Sequence, residues 1–275
     1  MSGRLFLVGT PIGNLGDMTE RAKETLAGVD VVAAEDTRRT GRLLSRFGIK
    51  RPLVSLFEGN EARRTAELVT ALREGRDVAL VTDAGMPLIS DPGHRLVRAC
   101  VDEGIDVRVV PGPSAVTAAL AVSGLPSDRF VFEGFLPRKA GDRRECLRSL
   151  GDEQRTIVVF ESPVRLETLL RDVLEELGDR RVAVARELTK LHEEVVRGRV
   201  SEVLARIAVA EPKGEVVVVI EGRVGGDDVA LPELVVEARR LVDDGMRKRE
   251  AASSVAKRHD ASANAIYEAL IRPGS

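Results

Sequence analysis

At 275 residues, 43% apolar and 31% charged, the chain has room for two modest domains and the polarity of a soluble protein. Its net charge of −2 excludes a uniformly basic coat for nucleic acid, though not a local basic groove. Its purest apolar run, Val216 to Ile220, excludes a membrane span, which needs roughly 20 residues. Cys100 and Cys146 are isolated, and His94, His192 and His259 are scattered, so neither zinc spacing nor a disulfide framework is present and nothing asks for a metal. The start has no basic region followed by a long apolar stretch, which predicts a cytoplasmic protein.

From Arg4 to Val110, short β-branched runs alternate with amphipathic stretches. "LFLV", "VDVVAA", "DVALVT" and "DVRVV" predict strands, and segments near 19–27, 60–74 and 93–103 predict helices. That rhythm implies βαβ units around a mostly parallel sheet. "VVPGPSA" then marks a junction near residues 111–125, after which "RFVFEGF", "RTIVVF", "RRVAVARE", "EEVVRGRV" and "GEVVVVIEG" follow one another more closely. Past residue 180 that spacing predicts antiparallel pairing. A polar break, "GRVGGDDVALP" at 222–232, precedes a tail of two or three short helices, the last with Ser262 or Asn264 near its cap. The domains expected are 1–115, 116–224 and a helical module at 231–275. In that module Arg247, Lys248, Arg249, Lys257 and Arg258 form either a phosphate-binding cluster or a solvated face.

The first strand empties into a loop with glycines at 9, 13 and 16. G-x-x-x-G-x-x-G is not the dinucleotide spacing, and a proline stands at 11. No lysine completes a phosphate-binding P-loop. "VTDAGMPLISDPG" (81–93) and "VVPGPSAVTAAL" end two further strands in the same way, with exposed backbone and no cation before Arg95. Carboxyl ends of parallel strands share one edge, where ligands bind. A ligand with an adenosine and an amino-acid end, and no phosphate chain, suits such an edge. S-adenosyl-L-methionine is the candidate.

"GTPIGNLGDMTERA", "AEDTRRTGRLL", "DAGMPLISDPG", "VPGPSAVTAAL", "FEGFLPRK", "ESPVRL", "ARELTKLHEE" and "KGEVVVVIEG" stand in that order over residues 9–222. Together they resemble the bacterial ribosomal RNA small-subunit methyltransferase I family, of the tetrapyrrole-methylase-like class. The resemblance implies an α/β, two-domain class III methyltransferase fold with the cofactor between the domains, and a homodimer. It implies 2′-O-methylation of a cytidine ribose in the decoding region of 16S rRNA, within the assembled small ribosomal subunit. By motif, Pro11 would lie beneath the cofactor. Ala84, Gly85, Met86 and Ile89 would hold its amino-acid and ribose end, and Ser114 and Ala115 the adenosine side. Phe160 or Glu161, Leu188, Thr189 and Lys190, and Gly214 would complete the cleft. The chain departs from the family at "SLFEGNE" (55–61), where histidines are common, and at "FESPVR", where "YESPHR" is usual.

A ribose hydroxyl is a weak acid and needs a proton acceptor. Glu35, Asp36, Glu187, Lys190 and Lys213 are the charged candidates, a lysine serving either as base if burial lowers its pKa or as partner of the developing oxyanion. Asp36 or Thr37 would also cap a helix whose Arg38 and Arg39 face solvent or touch RNA. His192 is expected to be an ordinary polar strand residue. The rival functions are a tetrapyrrole methylase, against which "GTPIGN" with "AEDTRRT" speaks, and a non-catalytic RNA-binding protein, which leaves the cleft loops unexplained.

Overall fold

The computed structural model describes residues 2–207, 214–223, 231–259 and 261–271. They form two compact units, Met1–Gly151 with Thr156–Ile220, and Asp152–Arg155 with Glu221–Ser275.

The larger unit holds two five-stranded sheets. The first contains β1 (Leu5–Val8), β2 (Val31–Ala34), β3 (Leu53–Ser55), β4 (Val78–Val81) and β5 (Val107–Val110). All pairings are parallel, in the order β3-β2-β4-β1-β5. Helices cover both faces, which is why these strands are apolar on both sides. Val8, Val32, Ala79 and Val81 pack with Ala22 and Leu26 of α1 (Glu20–Gly28) and Leu44 of α2 (Thr37–Arg46). Their neighbours Leu5, Ala33, Val78 and Leu80 pack on the other face with α3 (Glu61–Arg73) and α4 (His94–Asp102). Strand β3, only three residues long, is absent from the elements expected from sequence.

After α5 (Ala115–Ser123) the second sheet runs β6 (Phe130–Phe135), β7 (Thr156–Glu161), β8 (Arg181–Arg186), β9 (Glu194–Arg199) and β10 (Val216–Ile220), in the order β6-β7-β10-β8-β9. As the close spacing implied, β8 pairs antiparallel with β9 and β10, and β10 antiparallel with β7. One face packs on α6 (Ala140–Ser149), α7 (Pro163–Leu177) and α8 (Val200–Ile207). The other packs on α5 and on Ile12 of the opening loop, joining the two sheets through one apolar layer.

The smaller unit contains α9 (Leu231–Asp243), α10 (Lys248–His259) and α11 (Ala263–Ile271) around a core of its own, including Leu234, Ala238, Val255 and Ile266. Ser262 accepts a hydrogen bond from the Ala265 amide at 3.3 Å, the cap expected of that segment. Among the described residues no helix is long and apolar enough to cross a membrane.

Candidate active site

The loops that follow β1, β4 and β5 meet at the carboxyl edge of the first sheet, and backbone bonds lock them together. Thr10 and Gly85 exchange N–H···O bonds of 2.9 and 3.1 Å, and the buried Thr10 hydroxyl donates to the Thr82 carbonyl at 3.2 Å. The opening glycines serve this crowding. A Cβ at Gly9 would lie 2.7 Å from Gly112 Cα and from Met86 Sδ, and one at Gly13 would lie 2.9 Å from the Leu188 carbonyl oxygen. The glycines of this loop therefore brace neighbouring loops, while its Ile12 reaches the cleft beside them.

Beside the brace opens a cleft of about 490 Å³, within the size range of small-molecule sites. Ala84, Gly85, Met86 and Ile89 line it from the first sheet, Ser114 and Ala115 from the start of α5, and Phe160, Glu161 and Gly214 from the second sheet's side. Gly85 has φ of +84°, a backbone that favours glycine. Phe135 and Phe160, with ring centroids 5.5 Å apart, form an aromatic wall, and Phe135 is 60% exposed. Five carboxylates line the cleft (Glu35, Asp83, Asp91, Glu161 and Glu215), and among the described residues no lysine or arginine does.

Three of the acids gather around Thr82, whose hydroxyl donates to Glu35 Oε2 at 2.9 Å. Asp83 is pushed above its ordinary pKa by burial, with Glu35 adding to the effect. Asp91 is pushed up to about 6, chiefly by burial, with Glu35 and Asp83 reinforcing and the Thr82 hydroxyl opposing. Asp83 and Asp91 both stand in the segment 81–93, where nothing local in the sequence singles out either. Among the described residues no group of three or more His, Cys, Asp or Glu is placed to share a metal ion.

The remaining expected residues fall elsewhere. Pro11 lines an adjacent depression of about 160 Å³ with Gly13, Leu15 and Arg39, separated from the cleft by the shared Thr82 and Asp83. Asp36 is the N-cap of α2, accepting from the Arg38 amide at 2.8 Å, and the Arg38 guanidinium beside it holds its carboxyl down at about 2. A carboxylate so paired is a poor proton acceptor. Lys190 does not line the cleft. Its ammonium sits 2.8 Å from Glu187 and 3.5 Å from Glu215. Burial pulls the Lys190 pKa down, but the bond to Glu187 and the charge of Glu215 leave it raised overall, and Glu187 is held low by the same bond. For Lys190 the option of a pKa tuned downward is thereby corrected, because it stays an ammonium with Glu187 as its counter-ion. Lys213 lies outside the described residues. Leu188 is buried in the apolar layer and Thr189 stands in the loop beside it, neither lining the cleft. His192 occupies a turn ahead of β9 and not a strand.

Strain concentrates at these loops. Among the described residues the non-glycine positions with positive φ are Leu88 and Ser90 (73° and 65°) and Glu187 and Thr189 (51° and 67°). Such positions persist where surrounding structure over-determines them, and they cluster at ligand sites.

Arg38 and Arg39 are exposed at the start of α2, Arg39 paired with Asp83 at 3.1 Å. Arg247, Lys248 and Arg249 are exposed on the smaller unit, Arg249 lying 5.8 Å over the Tyr267 ring. Lys257 and Arg258 belong to α10, but their side chains lie outside what is described.

The family described as Tetrapyrrole (Corrin/Porphyrin) Methylases matches residues 4–204. A protein of Thermotoga maritima named ribosomal RNA small subunit methyltransferase I is 56% identical over 80% of this chain and 99% of its own length. Its namesake in Mycobacterium tuberculosis is 46% identical over 98% of this chain and 95% of its own. Among solved structures, uroporphyrin-III-C-methyltransferase from Thermus thermophilus superposes with a TM-score of 0.57 at 26% identity, covering 79% of this chain and 94% of that one. The parallel sheet, the braced loops at its carboxyl edge and the matched residues agree: the chain belongs to the tetrapyrrole methylases and, among them, to the ribosomal RNA small subunit methyltransferase I family.

Proposed function

We propose that this protein transfers a methyl group from S-adenosyl-L-methionine to the ribose 2′-hydroxyl of a cytidine in small-subunit ribosomal RNA. The observation that carries the cofactor is the lining of the cleft, five carboxylates and, among the described residues, no cation. Asp83, Glu161 and Glu215 are paired to Arg39, Arg165 and Lys190 outside it. S-adenosylmethionine bears a sulfonium and an ammonium against one carboxylate, so an acidic, backbone-rich cleft complements it and would repel a phosphate chain. Ribosomal RNA as acceptor is supported by the relatives' names, and the cytidine 2′-oxygen of the decoding region by the ordered motifs. We further read residues 1–115 and 116–224 as the two halves that hold the cofactor, and a cytoplasmic homodimer as the working form.

The residues that would hold the cofactor are Ala84, Gly85, Met86 and Ile89, with Ser114, Ala115, Phe160, Glu161 and Gly214 around them. When bound, S-adenosylmethionine supplies an electrophilic methyl carbon on sulfur. The protein's part is to fix the ribose oxygen in line with that carbon, since positioning alone can remove much of such a barrier. Asp91 would take the hydroxyl proton as the methyl group passes from sulfur to the ribose oxygen, the carbon–sulfur bond breaking as the oxygen–carbon bond forms. Its raised pKa makes it a better acceptor than an ordinary carboxylate while leaving it ionised at neutral pH. Glu35, which accepts the Thr82 hydroxyl at 2.9 Å, is the neighbouring charge that helps keep the Asp91 pKa raised.

The test is methyl transfer from methyl-labelled donor to small ribosomal subunits from a strain lacking this protein. After digestion to nucleosides, label in 2′-O-methylcytidine supports the proposal. Label on a different nucleoside position would overturn the acceptor, and transfer only to a tetrapyrrole would overturn the RNA substrate.

A further inference from the structure

An acidic cleft that welcomes a cationic methyl donor cannot also hold RNA phosphates, so the strand must be gripped outside it. We propose that α2 does this: Arg38, Arg42 and Arg46 form a ladder that binds successive phosphates of an RNA strand and leads it to the cleft mouth. The inference rests on the RNA methyl transfer proposed above.

Residues 37–51 contain six cations and no acid, in a chain of net charge −2. Three of the six recur at every fourth position of α2, which places them on one helix face at steps of about 6 Å. Arg38 is 85% exposed and held at 3.0 Å by Asp36. Arg42 and Arg46 are exposed and make no ion pair or hydrogen bond with any of the described residues. Several other exposed arginines on helices of this unit are neutralised in place, although Arg21 and Arg206 have no acidic partner among the described residues. Arg63 pairs with Glu67, Arg98 with Asp102 and Arg171 with Glu167, each one turn away. A merely solvated face would follow that mixed pattern. Thr37 and Ser45 line a shallow groove of about 540 Å³ with the three arginines and offer hydroxyls to the same phosphates. The ladder starts at the cleft: Asp36 adjoins Glu35, and Arg39 pairs with Asp83, both of which line it. Arginine's planar fork suits phosphate, and the phosphate contacts would supply affinity without reading sequence.

The test measures binding of a short fluorescein-labelled single-stranded RNA at several KCl concentrations. It compares the wild-type protein with a variant carrying Arg38→Ala, Arg42→Ala and Arg46→Ala. Alanine favours helix, and a melting curve checks that the fold is retained. Each phosphate contact to a single strand contributes about 0.7 to the slope of log affinity against log salt, so the triple variant should lose about 2 from that slope. Its affinity for S-adenosylmethionine, followed by calorimetry, should not change. Lysine at all three positions should restore most of the slope. A triple-alanine variant with wild-type slope and affinity would overturn the ladder while leaving RNA methylation in place. A variant that changes oligomeric state with its RNA binding intact would overturn it in favour of a self-interface. Wild-type protein that neither binds RNA nor methylates it would remove the ladder and the proposed function together.

Discussion

Asp91 combines burial with two neighbouring acids, Glu35 and Asp83, and its pKa of about 6 has consequences in both rate and stability. The single-turnover rate should rise with pH up to about 6 and level off above it. Asp91→Asn should lower that rate roughly a hundredfold or more, with donor affinity retained. The sign of the stability effect is opposite. A carboxylate whose folded pKa is raised binds its proton more tightly in the folded state, so stability falls as pH climbs from the ordinary value of about 4 to the raised one. Asp91→Asn should therefore melt higher than wild type at pH 7.5, with the difference gone near the ordinary carboxylate pKa of about 4. A variant that is slower yet no more stable at neutral pH would mean that Asp91 is not desolvated in the way described. Asp91 was hard to find in the sequence because nothing local marks it. Its environment comes from Glu35, far away along the chain, and from Thr82, and only the fold brings them together. Asp36 was easier, since a cap announces itself through the helix that follows it.

Loops and helices show the same contrast. The loops after β1, β4 and β5 were legible because each breaks an apolar run with glycine and proline, and parallel strands send such loops to one edge. What the glycines accommodate was not legible, because Gly9 faces Gly112 and Met86, and Gly13 faces the loop after β8. That last loop is tied down by Lys190 between Glu187 and Glu215. Lys190→Met should raise the KM for the donor more than it lowers kcat, and Lys190→Arg should recover part of the loss. Equal falls in kcat and kcat/KM for both variants would instead place the ammonium at the reacting oxygen. In the second sheet's helical layer, Arg143 and Asp172 are 4% and 2% exposed and bonded at 2.6 Å. Removing one partner strands a buried charge, so Asp172→Ala should cost roughly 3–5 kcal/mol in urea unfolding, whereas Arg143→Met with Asp172→Leu should cost much less. Additive losses in the double variant would contradict a buried pair.

For the molecule as a whole, the proposed methyl-transfer site lies in the sheet-and-cleft unit, and the helical unit has its own core. The Thermotoga maritima relative matches over nearly all its length while covering only 80% of this chain, so about a fifth of this chain has no counterpart there. Protein ending at residue 230 should accordingly keep its donor affinity and lose RNA affinity in a salt-dependent way, if Arg247, Lys248 and Arg249 touch phosphate. RNA binding equal to the full chain at every salt concentration would reduce those residues to a solvated face. The family was legible from eight ordered motifs, because motifs that meet at one site keep their order however far apart they stand. The acidity of the cleft was not, since its five carboxylates come from separate segments of the chain. On that cleft the whole account turns, and calorimetric titration of S-adenosylmethionine into wild-type protein and Gly85→Val examines it directly. A side chain at Gly85 would need a left-handed backbone on the cleft wall, with its Cβ 3.4 Å from Ile12 and 3.6 Å from the Pro113 carbonyl. The wild type should bind and a Gly85→Val protein that still melts cooperatively should not, whereas equal affinity in the two proteins would put the methyl donor elsewhere.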